Sequence, residues 1–159
     1  MQLPAEAVTA TVLIEVVRIS ALTARRNVPY PGTAVAHWAG SEADAALALI
    51  ESLPGSEQHR CCFSPGWSIR AYDDSLDLAL FEAAFCFTCH EVRMQGTAVP
   101  PALATQFFDP GALPARTLLS LLPQGSSIVD RLDEHHGRGP GRGPSPMKVG
   151  TRLLITRRA

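Results

Sequence analysis

No stretch of this chain approaches the roughly 20 consecutive apolar residues that a membrane-spanning helix requires, and its N-terminus lacks the basic start, apolar block and small-residue cleavage site of an export signal. A membrane partner is therefore not expected, and the cytoplasm is the expected location. Lysine is missing before Lys148, and acidic residues are missing after Glu134. Residues 1–136 carry eight arginines against fifteen Asp and Glu, whereas residues 137–159 carry Arg138, Arg142, Lys148, Arg152, Arg157 and Arg158 with no acid. The overall charge of −1 thus conceals a body of −7 and a tail of +6. Such a split fits a tail that folds back on an acidic body or one that seeks an anionic partner. No internal repeat is present. Cysteine is scarce, with Cys61, Cys62, Cys86 and Cys89 making up the full set of four. In a reducing compartment these thiols are free, metal-bound or engaged in exchange, and are not structural staples by default.

What is present reads as a folded protein. With 159 residues, 46% of them hydrophobic and 18% charged, the chain can bury roughly two-thirds of its unfolded surface around one core. Thr11 to Ile19 is dense in β-branched residues and reads as a strand. Residues 27–40, punctuated by Pro29, Pro31, Gly32 and Gly40, read as a loop. Ser41 then caps a helix over 42–52, in which Ala43, Ala46, Leu47 and Ile50 recur at helical spacing before Leu53-Pro54-Gly55 stops it. Ser64-Pro65-Gly66 is suited to a type II turn joining a strand at 58–63 to one at 67–72. A two-residue turn at Asp74-Ser75 would then set Ile69 opposite Leu80 and Ala71 opposite Leu78. The next strand, 76–87, is apolar on both faces and so reads as central. His90 to Gln95 fits an edge strand ending at Gly96, and 114–122 fits a short helix with Pro114 in its first turn.

These elements predict an α+β fold: an antiparallel sheet of four to five strands with two short helices packed against it, in a single domain over 1–125. Residues 126–159 are expected to be a flexible, disordered Gly/Pro/Arg-rich tail, with room for a short strand at 152–156.

Cys86-Phe87-Thr88-Cys89-His90 is the segment that carries chemistry. On a straight strand, residues three apart face opposite ways, so the two sulfurs converge only if Phe87-Thr88 is a turn. With that turn, Cys86 and Cys89 form a metal knuckle, Cys61 reaches in from the upstream strand, and His90 completes a Cys₃His zinc site, with His59 or Cys62 as alternates. Adjacent Cys61 and Cys62 face opposite ways and do not serve together. The bland reading is four buried thiols acting as small hydrophobes. A thiol–disulfide redox pair at Cys86 and Cys89 is a third reading, although no helix follows to lower a thiol pKa. The C-x-x-C-H spacing also matches c-type haem attachment, with Met94, Met147 or His59 as distal ligands, in a strand-like context that argues against it.

Glu82 could act as a general acid or base, or simply pair with Arg70 or Arg60. Asp73 and Asp74 read as turn formers. Asp133-Glu134-His135-His136 reads as a solvated linker. The tail motif from His136 to Pro144 has two arginines in its glycine repeat and no aromatic residue, so nucleic acid is not the expected partner.

Arg60-Cys61, then Pro65-Gly66-Trp67-Ser68-Ile69-Arg70, then Phe81-Glu82-Ala83-Ala84-Phe85-Cys86-Phe87-Thr88-Cys89 together resemble a family of small bacterial proteins from high-GC, actinomycete-like genomes. The likeness spans about residues 58–122 and implies a family boundary but no activity; Cys62 and His90 stand outside its pattern. The function expected is a non-catalytic cytoplasmic binding or regulatory module, of the toxin-neutralising kind, engaging a protein partner. In it the cysteines are structural or hold zinc; the alternative is a redox protein using Cys86 and Cys89.

Overall fold

The computed structural model describes residues 1–20, 28–57 and 62–122. The tail, its expected strand at 152–156, Arg60, Cys61 and His59 lie outside these residues. Six strands form one antiparallel sheet: β1 (Leu13–Ile19), β2 (Gly32–Ala39), β3 (Trp67–Tyr72), β4 (Phe81–Cys86), β5 (Glu91–Gln95) and β6 (Thr105–Phe107), in the order β2-β1-β3-β4-β5-β6. Among the described residues three α-helices, α1 (Ala5–Ala10), α2 (Ser41–Glu51) and α3 (Leu113–Leu121), complete an α+β architecture. The sheet thus has more strands than the four to five expected.

The alternation of β1 explains its central place. Ile14 and Val16 point to the face that carries the helices, where they join Trp38, Ile69, Phe81, Phe85 and Val92 in the core, while Glu15 points to the other face. In α2, Ala43, Ala46, Leu47 and Ile50 are buried at the expected i, i+3, i+4, i+7 spacing. In α3, behind Pro114 in the first turn, Ala115, Leu118 and, at its C-cap, Leu122 are buried at i, i+3 and i+7, with Leu121 beside them. Phe81, Phe85 and Phe108 are wholly buried, each contributing about 1.5–3 kcal/mol by burial.

Several expectations are corrected. Residues 32–39 form β2 and not a loop: the proline and glycine punctuation ends at Gly32, and Val35-Ala36-His37-Trp38 pairs with β1. The register shifts at Val16/Val17, so the outer half of β2 has no clean alternation that the sequence could display. Ser41 is the first helical residue and makes no side-chain cap; Gly40, with φ of 55°, holds the cap position and its carbonyl accepts from the Asp44 N–H at 3.1 Å. Gly66 lacks the positive φ that a type II turn needs, and the described part of 58–63, Cys62 and Phe63, is not in a strand.

The β3–β4 connection is not a two-residue turn. Asp73 to Leu80 forms a longer loop in which Leu76 has φ of 56°, and the observed pairs are Ile69 with Ala83 and Ala71 with Phe81. Leu78 is left 78% exposed. β5 is interior, because β6 pairs along it. α1 spans six residues, too few to display a helical period.

Gly96 ends β5 with φ of 135°, and a Cβ there would lie 2.8 Å from Phe81 Cα. Gly96→Ala should therefore cost about 2 kcal/mol or more through combined backbone strain and overlap, measured as a lowered urea midpoint with unchanged m-value.

Candidate functional site

The face of the sheet opposite the helices carries a row of polar side chains set in register across five strands. His37 pairs with Glu15, Glu15 with Arg70, Arg70 with Glu82, and Glu82 with Gln95. Arg70 is the centre of the row. Its Nη1 donates to Glu15 Oε2 at 3.1 Å, its Nε to Glu82 Oε1 at 3.1 Å, and its Nη2 to the Tyr30 carbonyl at 2.6 Å. Flanking carboxylates raise its pKa further, although burial opposes them as the largest single influence.

Glu82 was expected to be partly exposed and is instead 2% exposed; the pairing with Arg70 is as expected. Its carboxylate accepts four hydrogen bonds: Ser68 Oγ at 2.7 Å and Arg70 Nε on one oxygen, the Tyr30 N–H at 2.9 Å and Gln95 Nε2 at 2.8 Å on the other. Four donors fill the lone-pair sites of a carboxylate. The group is thus an anchor that ties residues 28–30 over the sheet, with Gln95 Nε2 also donating to the Val28 carbonyl at 2.8 Å.

The second feature is the β4–β5 hairpin. Residues 87–90 form the turn that the sequence requires, and it brings the Cys86 and Cys89 sulfurs within bonding reach of each other across a Cα–Cα distance of 5.4 Å. Phe87 sets this turn. Its ring packs edge-to-face on Phe108 at 5.3 Å and stacks beside Phe85 at 6.2 Å, so it is held on the helix side while the sulfurs converge. The Thr88 hydroxyl lies 3.4 Å from Cys86 Sγ, and Cys89 Sγ lies 3.7 Å from the Cys86 carbonyl oxygen. Both cysteines are 1% exposed. Opposite Cys86 in register stands Glu91, itself buried, which accepts from Arg93 Nε at 2.6 Å; the guanidinium of Arg93 lies 4.1 Å over the Phe63 ring.

Of the residues expected to hold zinc, Cys86 and Cys89 come together. His90 ends the turn with φ of 62° and a buried Nδ1 that has no hydrogen-bond partner. Cys62, with φ of 73°, is exposed. Cys61 and His59 lie outside the described residues, and among those described no group of three or more His, Cys, Asp or Glu is placed to hold a metal ion. Asp73 is a turn former, as expected: its Oδ1 accepts from the Ser75 hydroxyl and N–H at 2.6 and 3.1 Å, which lowers its pKa. Sequence reasoning missed the polar row, because its members come from five strands and align only once the register is known. No protein-family model, curated protein or solved structure matches this chain.

Two predictions follow from the row. Glu82→Ala would leave Arg70, Ser68, Gln95 and the Tyr30 N–H with an unmatched buried site, and should cost about 3–5 kcal/mol in urea unfolding; a cost under about 1 kcal/mol would mean that the row is solvated. Burial, reinforced by Glu15, holds the Tyr72 phenol above its usual 10.0, and burial likewise raises Tyr30 against the opposing Arg93. A raised phenol contributes stability that is fully present below the unfolded value of 10.0 and is lost as pH rises through the folded value. Unfolding free energy should accordingly fall as pH rises from 10.0 towards the folded value, and the paired substitutions Tyr30→Phe and Tyr72→Phe should flatten the fall.

Proposed function

We propose that this chain is a non-catalytic binding or regulatory module in which Cys86 and Cys89 act as a structural clip at the tip of the β4–β5 hairpin. The observation that carries this reading is the closure of the sulfurs, each on a residue 1% exposed. Thiol–disulfide exchange proceeds by attack of a thiolate on a reachable sulfur, through a mixed disulfide, and cysteines 1% exposed offer an incoming thiolate no such access. The surroundings point the same way. Cys86 faces the Glu91 carboxylate in register, Arg93 is engaged by Glu91, and a hairpin turn aims no helix N-terminus at either sulfur. Glu82, the buried carboxylate of the polar face, has its oxygens occupied by four protein donors and none left to meet a substrate.

A redox protein is the second reading, favoured by the convergence of the two sulfurs. Zinc held by Cys86, Cys89 and His90 with Cys61 is the remaining proposal for the same cysteines.

Thiol titration with metal counting separates the three. For the clip, native reduced protein should contain no stoichiometric metal, and Cys86 and Cys89 should react with an aromatic disulfide reagent at least about tenfold more slowly than in denaturant. Oxidation should raise unfolding stability by about 2 kcal/mol, the loop-closure value for so short a ring, and Cys86→Ser with Cys89→Ser should abolish that gain. Rapid native reaction with catalytic turnover of a protein disulfide would replace the clip with the redox reading. One zinc per chain, with thiols unmasked by chelation, would replace it with the metal reading.

A further inference from the structure

A cleft of about 250 Å³ opens between the Asp73–Leu80 loop and the end of β5, with Pro29, Leu78, Ala79, Glu82 and Gln95 among its lining. Glu82 is saturated by its four donors, so the cleft presents an apolar wall and no charge free to bind a ligand. Its volume falls below the roughly 300 Å³ at which metabolite pockets begin, and suits one or two aliphatic side chains better. Leu78 at the lip is 78% exposed and Leu76 is 53% exposed, which puts two aliphatic side chains beside the apolar wall of the cleft. Asp74 and Asp77, beside these leucines, are exposed as well.

We propose that the occupant of this cleft is the chain's own segment from Arg152 to Arg158. Leu153, Leu154 and Ile155 supply the aliphatic anchor, and Arg152, Arg157 and Arg158 flank it with positive charge opposite in sign to Asp74 and Asp77. The complementarity extends to the whole molecule, since residues 1–136 carry −7 and the rest +6. Reach is not limiting. The 29 residues from 123 to 151 can extend to about 100 Å, whereas a body of this size has a radius of gyration of about 14 Å. Tethering also supplies the segment at an effective concentration in the millimolar range, so a weak contact is populated without any partner in solution. The segment then covers the exposed leucines and competes with any external protein that uses this face.

Amide spectra of the uniformly ¹⁵N-labelled full chain test the contact. Arg152→Glu, Arg157→Glu and Arg158→Glu together should shift the amides of Leu76 to Leu80, Gly96 and Thr97 while leaving those of β1 and α2 in place. Leu153→Asp alone, Asp74→Asn with Asp77→Asn, and about 0.5 M salt should each move the same set in the same direction. The shifts should not depend on protein concentration. Unmoved cleft amides in the tail variants would overturn the proposal. Shifts that grow with concentration would overturn it too, by assigning the cleft to the tail of a second copy.

Discussion

Arg70 stands between the buried carboxylate of Glu82 and the half-buried one of Glu15, and the rest of the sheet is arranged so that this position can exist. One guanidinium serves Glu15 and Glu82 on neighbouring strands and the Tyr30 carbonyl above them. Buried ion pairs are poor sources of net stability, because desolvation offsets most of their attraction, whereas losing one partner costs several kcal/mol. The asymmetry makes the row a device for register. A slip of two residues between β3 and β4 would put Arg70 opposite Leu80 or Ala84 and strand both charges, while apolar neighbours such as Ile69 and Ala83 would tolerate the change far better.

The same row decides what covers the second face of the sheet. A sheet packed with helices on one side normally leaves the other side to water. Here Glu82 and Gln95 hold the backbone of Val28 and Tyr30, Tyr30 packs on Phe63 at 6.4 Å, and Phe63 receives Arg93. The polar face is therefore closed by loops fixed through hydrogen bonds, and the sulfur pair at the end of β4 lies on that closed face. The edges are managed as well. β2 carries its register shift at the outer position, and β6 is three residues long, with Pro54 to Ser56 laid beside the segment from Phe107 to Asp109. Strand addition is thus disfavoured at both ends, and among the described residues Leu78, on the loop between β3 and β4, is the most exposed large hydrophobic side chain.

How much of this could be read from the sequence depends on whether the signal was local. β1, α2, α3 and the reversal at Phe87-Thr88 each follow from a few adjacent residues: a β-branched run, a helical spacing, a proline in a first turn, two cysteines that must converge. β2 was illegible because Pro29 and Pro31 come immediately before it, Gly32 opens it, and its bulge erases alternation. The β3–β4 register was misread for a related reason. Leu78 and Leu80 make a plausible apolar match for Ala71 and Ile69, but Asp73 and Ser75 form a local turn that begins a longer loop, which moves the pairing by three residues. Once the register moves, Glu82 lands beside Arg70 and becomes buried. The polar row was therefore hidden behind a single misplaced turn.

That dependence also bears on the cysteines. Cys86 and Cys89 are brought together by a turn whose geometry comes from Phe87 and Phe108, not from any requirement of the sulfurs themselves. Cys86 sits two residues from Ala84 and four from Glu82 on the same face, so its depth is inherited from the register that Arg70 sets. A spacing that in other settings marks an accessible redox or metal site is here carried inward by the strand on which it ends. Chemistry in a C-x-x-C pair is a property of access as much as of spacing. In this fold both cysteines are 1% exposed, on a strand whose register is shared with the Arg70–Glu82 pair.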